Sequence, residues 1–277
     1  MVMNQKKIVL QTFTYLFLLL CIVIALYPLV WVVLSSFRSN QEILSGTLSL
    51  PESFSFRGYI EALTITPILD YFWNSVIIAT TSTLLNVFFL SKAGYIFARF
   101  DFRGKDTLYF VLLLSLVIPG TALLQPVSQL IHNLGLYDTR FALILVYTAF
   151  SIPMSLLILR VTYSNIPKEL EEAAAIDGAG FVRTYFQIMM PCAKTGLTSA
   201  AVLAFLRAWN EFLFALVLTR GHHARTLPLS LSFFTAQFSF NYTALFAAVT
   251  IAVIPSILVF AIFQEQIVSS LTAGSVK

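Results

Sequence analysis

Charge is scarce in this sequence. Asp, Glu, Lys and Arg make up 11% of its 277 residues, against roughly 25% in an ordinary soluble domain. A water-soluble fold of this size needs more polar surface than these residues supply. The shortage excludes a soluble enzyme, a disordered chain and a nucleic-acid-binding domain. Cysteine is nearly absent. Cys21 lies in an apolar run and Cys192 in a charged loop, so no disulfide is expected, and no CxxC spacing occurs. His222 and His223 have no HExxH and no carboxylate at ligand spacing, so no metal site is expected. No fixed-period repeat and no low-complexity segment is visible.

What is abundant is apolar. Hydrophobic residues reach 58%, Phe occurs 26 times and mean hydropathy is +0.85. These values point to an all-α polytopic membrane protein. About 20 apolar residues cross the hydrocarbon core as a helix. Six runs qualify, at about residues 8–37, 71–98, 107–131, 141–160, 195–219 and 243–263, within one transmembrane domain over 1–277. The first run follows Lys6 and Lys7. It is too long for a signal h-region and lacks an Ala-x-Ala site, so it reads as a retained span. An even number of spans puts both termini on one side. With that side cytoplasmic, the inner segments carry Lys6, Lys7, Arg99, Arg103, Lys105, Arg160, Lys168, Arg183, Lys194 and Lys277. The outer ones carry Arg38, Arg57, Arg140, Arg220 and Arg225. Ten against five satisfies the positive-inside rule. The net charge of +4 is therefore topology, not a nucleic-acid footprint.

The loop at about 163–191 is the most informative segment. Pro167 suits a first helical position. Glu169, Glu171 and Glu172 complement the dipole of a first turn. Ala173, Ala174 and Ala175 are strong helix formers, and Gly178 suits a left-handed C-cap. A second helix follows over about 180–190, and Pro191 disrupts its continuation. The result is a helical knob on the cytoplasmic side, with Glu and Asp on one face and Ala, Leu170 and Ile176 on the other.

Glu172-Ala173-Ala174, three residues, Gly178, nine residues, Ile188, one residue, Met190 and Pro191 resemble the EAA loop of ABC importer permeases. The family pattern has Leu at Met190, a volume-conserving exchange. Other stretches resemble the carbohydrate, MalG-like branch: Phe72-Trp73-Asn74-Ser75, Ala93-Gly94-Tyr95-Ile96-Phe97-Ala98-Arg99-Phe100, Phe102-Arg103-Gly104-Lys105, Leu134-Gly135-Leu136-Tyr137-Asp138-Thr139, Ala208-Trp209-Asn210-Glu211-Phe212 and the tail from Leu271 to Lys277. The resemblance implies one of two non-identical membrane subunits importing a sugar or oligosaccharide by alternating access. It implies a cytoplasmic ATPase dimer receiving Glu172, Ala173, Ala174, Asp177, Gly178, Ile188 and Pro191, and an external sugar-binding protein on the outer loops. ATP and Mg would be bound by the ATPase. This chain has no GxxxxGK[ST]; its one Gly-Lys pair, Gly104-Lys105, precedes Asp106. No cofactor and no catalysis are expected in the chain itself.

Other residues divide between structural and transport roles. Arg207 and Glu211 stand four apart in the fifth run. They read either as an internal ion pair or, with Asn210, as part of a pathway or gate. Thr80, Thr81, Ser82, Thr83 and Asn86 suit close helix packing. Asn241-Tyr242-Thr243 is a formal sequon, expected to be silent. Pro119, Pro153 and Pro255 lie within runs and favour kinks. Two rivals stand beside the importer. A gradient-driven carrier explains the spans but not the EAA spacing, and a membrane enzyme lacks a catalytic cluster. Within the importer reading, the substrate alternatives are glycerol phosphate or an amino sugar.

Overall fold

In the computed structural model, residues 2–46, 50–234 and 241–272 are described, with side chains from 7 to 266. The side chain of Lys6 and residues 273–277, Lys277 included, lie outside that set. The described residues are nearly all helical, with no strand among them. Four helices are long and apolar enough to cross a membrane: Lys7–Ser35, Ile68–Arg99, Arg140–Ser164 and Tyr242–Gln266. Phe181–Cys192 and Lys194–Trp209 make a fifth if taken together across their 74° bend.

Two apolar runs are not single helices. The 107–131 run is split into Lys105–Leu114, a 3-10 turn at Gly120–Leu123 and Leu124–Asn133. Pro119, extended at ψ 127°, and Gly120 sit at the break; proline lacks the N–H that would carry the helix through. The 195–219 run stops at Trp209 and restarts as Leu213–Leu218. Pro153 and Pro255, by contrast, lie inside continuous helices.

Contacts group the chain into two compact units. One is Met1–Thr66 with Leu231–Val253, the other Pro67–Ser230 with Ile254–Lys277. In the first, the long N-terminal helix is exposed along its apolar length. Short helices follow at Asn40–Leu44 and Arg57–Ile65. Ser39 and Glu42 form a capping box on the first of these. Glu61 accepts from Arg57 Nε at 2.6 Å and from Asn241 Nδ2 at 2.7 Å. The Asn241 bond first and Arg57 second hold the Glu61 carboxyl below its ordinary range. Asn241 Oδ1 in turn accepts from Ala244 N at 3.0 Å, so the sequon's asparagine caps the last helix.

In the second unit the Ile68–Arg99 and Arg140–Ser164 helices run side by side. Asn86 Nδ2 donates to the Thr148 carbonyl at 3.2 Å. Further along both, a Cβ added to Gly94 would lie 2.7 Å from Leu159 Cβ. The pairings advance together, so these helices are parallel. Lys194–Trp209 runs the other way: Gly196 packs on Thr162, and Trp209 meets Phe72 edge-on at 5.7 Å. Residues 100–139 therefore travel back along the bundle, and residues 165–193 stay at one end. Glycine at 94 and 196 sets the approach, since a side chain at either would overlap the facing helix. Ser82, Thr83 and Asn86 are buried in this packing.

Candidate functional site

The knob is built as Glu169–Ile176 followed by a reversal at Gly178, which has φ +77°. Ala179 N donates to the Ala174 carbonyl at 2.9 Å and Gly178 N to Ala175 at 3.1 Å. These two bonds are a Schellman motif, closing the carbonyls that a helix end leaves open. The helix starts at Glu169, two residues after Pro167. The second helical stretch runs Phe181–Thr184, a π turn at Tyr185–Met189, and Met190–Cys192. Pro191 lies inside this stretch rather than ending it. Its ring excludes the carbonyl four residues back, and the π turn immediately before it is a register shift that relieves such a conflict.

The faces of the knob differ from the sequence reading. Glu172, Ala173, Asp177 and Gly178 are exposed, as is Pro191, while Ala174 is buried and Ile188 half-buried. Ile176 is 87% exposed, and Phe181, Val182 and Leu170 are also exposed. Apolar side chains thus crown the outer surface. Glu171 turns inward instead. Its Oε2 pairs with Arg99 Nε at 2.8 Å, and its Oε1 accepts from Tyr95 OH at 2.6 Å. Arg99 also donates to the Ile166 carbonyl. Beneath, the Ser91 hydroxyl joins Tyr163 OH at 2.8 Å and Tyr185 OH at 2.5 Å. The ring of Tyr95 lies against Tyr163, Tyr185 and Phe181. Leu156, Leu159 and Met189 complete this core. The knob is fastened to the Ile68–Arg99 and Arg140–Ser164 helices.

At the far end of Lys194–Trp209 the packing opens. This helix has 16 residues, about 24 Å at 1.5 Å per residue. Beyond it, Arg207, Glu211, Tyr147, Phe150, Gly120 and Thr121 are among the residues lining a cavity of about 230 Å³. Arg207 and Glu211 share this cavity, yet they form no ion pair among the described residues. The helix ends between them, so the four-residue spacing no longer sets them on one face. Glu211 accepts from Tyr147 OH at 2.7 Å, Phe214 N at 2.8 Å and Ala215 N at 3.1 Å. It caps the restarting helix Leu213–Leu218. Asn210 donates to the Leu206 carbonyl at 2.8 Å, and its Oδ1 lies 3.4 Å from Ser256 Oγ.

Two quoted motifs prove to be clamps at this end. Asn74 donates to the carbonyls of His222 and Arg225 at 3.1 and 2.8 Å. Ser75 Oγ accepts from Leu227 N at 2.8 Å, and Tyr71 OH meets His222 Nδ1. Asp138, at φ 61°, accepts from Arg220 N and Gly221 N, each at 2.8 Å. Partial burial opposes its charge, but these two N–H groups and His223 outweigh it and hold the carboxyl below its ordinary range. The histidines are used here, and no metal-binding group exists among the described residues.

A helical bundle with a fastened end, a projecting knob and a cavity at its other end fits a multi-pass membrane protein. The chain belongs to the family described as binding-protein-dependent transport system inner membrane component, matched over residues 91–272. It is 36% identical to the diacetylchitobiose uptake permease NgcG of Streptomyces coelicolor, over 94% of this chain and 87% of that one. It is 37% identical to the trehalose/maltose permease MalG of Thermococcus litoralis, over 94% of each. A solved bacterial ABC transporter for import of the acidic polysaccharide alginate has the same fold, with a TM-score of 0.78, 22% identity, and coverage of 93% of this chain and 96% of that one. The chain is thus an ABC importer permease, an inner-membrane component that works in a complex with other transporter subunits. The gradient-driven carrier and the membrane enzyme are not favoured by these matches.

Proposed function

We propose that this chain is one of two non-identical membrane subunits of an importer for sugars or oligosaccharides. In this reading both termini are cytoplasmic and the knob faces a cytoplasmic ATPase dimer, which binds the ATP and Mg. An extracytoplasmic sugar-binding protein docks on the outer loops. Glu172, Ala173, Asp177 and Gly178 form the coupling surface, with the buried Ala174 packed beneath it and Ile188 and Pro191 shaping the helix behind it. Arg207, Asn210 and Glu211 belong to the pathway. The carbohydrate class draws support from the named cargoes of the relatives, diacetylchitobiose and trehalose or maltose.

One observation carries the coupling role: an apolar, exposed crown on a knob whose inner side is tied by an ion pair and a hydroxyl network. An apolar surface of that kind suits a protein partner, and a rigid seat lets it transmit displacement. Closure of the ATPases would push the knob, and the helix leaving it at Lys194 would carry the motion toward the cavity.

The test is Gly178→Asp in the assembled importer. An added Cβ meets nothing within 4 Å, so the variant should reach the membrane at normal levels. The left-handed φ and the added charge should distort the coupling surface. ATP hydrolysis should continue while sugar uptake falls about tenfold or more, on the scale of a 1–2 kcal/mol left-handed penalty. Normal uptake, or failure of any ATPase to co-purify with the wild type, would sink the reading.

A further inference from the structure

The motifs Phe72-Trp73-Asn74-Ser75 and Ala93–Phe100 lie at the two ends of one helix, Ile68–Arg99. That helix has 32 residues, about 48 Å at 1.5 Å per residue. Four described helices are long and apolar enough to cross a membrane. Three of them contain a proline, at Pro28, Pro153 and Pro255, and this one contains none. Proline removes a backbone bond and is where helices kink. The helix that leaves the knob at Lys194 stops at Trp209 and restarts at Leu213. Within its unit, Ile68–Arg99 is therefore the element best built to move as one piece.

Both ends of this helix grip something. Its last two turns hold the knob, with Arg99 Nε 2.8 Å from Glu171 Oε2 and Tyr95 OH donating to Glu171 Oε1 at 2.6 Å. Its first two turns hold the 222–227 segment, which is on the outer side in the reading above. Asn74 donates to the His222 and Arg225 carbonyls, Ser75 accepts from Leu227 N, and Tyr71 OH meets His222 Nδ1. Tyr71, Asn74, Ser75 and Tyr95 are buried. A buried ion pair seldom stabilises a fold more than apolar residues of the same volume would. What Glu171 gains is a fixed position, since each of its two oxygens has its own partner on the same helix end.

From this we infer that the Ile68–Arg99 helix is a rod that carries displacement of the knob to the 222–227 segment, with Glu171, Arg99 and Tyr95 as positioning residues at one end and Asn74 at the other. The inference rests on the coupling role proposed for the knob and adds a second route out of it. The route through Lys194 ends at the cavity, whereas this one ends about 37 Å from Arg99, at Asn74. Movement of a packed helix as a rigid body needs firm contacts at both ends, and both are present. Coupling between two sites is reciprocal, so a protein docking on the 222–227 segment would bias the knob by the same path.

The experiment is hydrogen exchange on the assembled importer, nucleotide-free and trapped with ATP and vanadate. It compares the amides of 222–227 with those of Phe214 and Ala215 beside the cavity. In the wild type, trapping should change exchange at both places about fivefold, the scale of one hydrogen bond. Glu171→Gln should lose the response at 222–227 and keep it at Phe214 and Ala215, and Arg99→Lys should keep most of both. Asn74→Leu should lose the same response, and the double variant Glu171→Gln with Asn74→Leu should lose no more, because the two ends act in series. A wild type that responds only at Phe214 and Ala215 would overturn the inference, as would a 222–227 response that survives in Glu171→Gln. Loss of both responses in Glu171→Gln would also overturn it, since Glu171 would then merely seat the knob. Where that variant fails to assemble, Tyr95→Phe removes one donor and keeps the ion pair. It should weaken the 222–227 response alone, and an unchanged response there would count against the rod. A wild type that responds nowhere, or an ATPase that does not co-purify, would instead defeat the coupling reading itself.

Discussion

The two ends of the bundle of parallel and antiparallel helices are built on opposite plans. At the knob end, Tyr95, Tyr163, Tyr185, Leu156, Leu159 and Met189 fill the space, and the charged Glu171 and Arg99 are paired. At the other end, two of the helices break, cavities surround Phe150, and Arg207 shares a cavity with Glu211 without a direct ion pair among the described residues. Close packing makes an interior stiff, whereas cavities and interrupted helices leave room for rearrangement. The difference is what the proposed coupling role would need: a stiff end to receive force and a changeable volume at the other, in one continuous piece of chain.

The sharpest way to break this contrast is to unpair the knob end. Glu171→Ala should leave Arg99, whose side chain is 5% exposed, charged without its partner, a loss of about 3–5 kcal/mol. Thermal unfolding of the detergent-extracted complex would register it, and uptake per ATP hydrolysed should fall as well. An unchanged melting temperature would mean that the knob is held by its aromatic core alone.

A matched pair of glycine substitutions compares the ends directly. An alanine methyl at Gly94 would lie 2.7 Å from Leu159 Cβ and 3.1 Å from its backbone carbon. Neither atom is the tip of a flexible side chain, so the helices must separate, at about 1–3 kcal/mol. At Gly120 the nearest atoms are ring carbons of Phe150 and Phe214, at 3.6 and 3.9 Å. Gly120→Ala should therefore leave stability within about 0.5 kcal/mol while narrowing the cavity. Melting curves of the two variants test this, and equal destabilisation would erase the distinction between a filled and an open end.

These contrasts also show what the sequence could tell. The spans, the knob and its glycine reversal were legible because they are local: apolar length, alanine and glutamate near a helix start, glycine where φ is positive. Glu171 was not, since three neighbouring glutamates look alike until Tyr95 and Arg99 arrive from a helix about 70 residues earlier. The break at 210–212 was missed for a related reason. A four-residue spacing reads as one helix face, but Glu211 instead caps the next helix through Phe214 N and Ala215 N and is joined by Tyr147 from a distant helix. The quoted motifs at Asn74 and Asp138 carried the family resemblance but not their clamping role, because their partners lie roughly 80 to 150 residues away. Ser82, Thr83 and Asn86 gave their role from type alone, because burial between helices is what small polar side chains permit, whereas Thr80 is exposed and Thr81 half-buried.

Within the open end, the Tyr147 to Glu211 bond is a smaller lever. Tyr147→Phe removes one donor from a carboxylate that keeps its two backbone partners. The expected cost is about 1.5 kcal/mol, the low end for a hydrogen bond to a charged group. Its effect should appear in uptake more than in melting temperature, because the helix it steadies borders the cavity. A fall in melting temperature comparable to that of Glu171→Ala would mean that this end is as rigid as the other.

The smallest expected effect concerns acid. Asp138 lies outside the spans, and its carboxyl is held below the ordinary range by the N–H groups of Arg220 and Gly221. A depressed folded-state pKa means that the ionised group stabilises the fold above its unfolded value. That contribution disappears as pH falls through the lower, folded value. Acidification below the usual carboxylate range should therefore loosen the 220–223 segment and leave the knob end untouched. Hydrogen exchange at the Arg220 and Gly221 amides would report it. Asp138→Asn keeps an acceptor and a side chain that tolerates the left-handed φ of 61°, so it should fold while losing the acid response at those two amides. If exchange there stayed pH-dependent in Asp138→Asn, the carboxylate would not be what secures this junction, and the looseness of the open end would need another source.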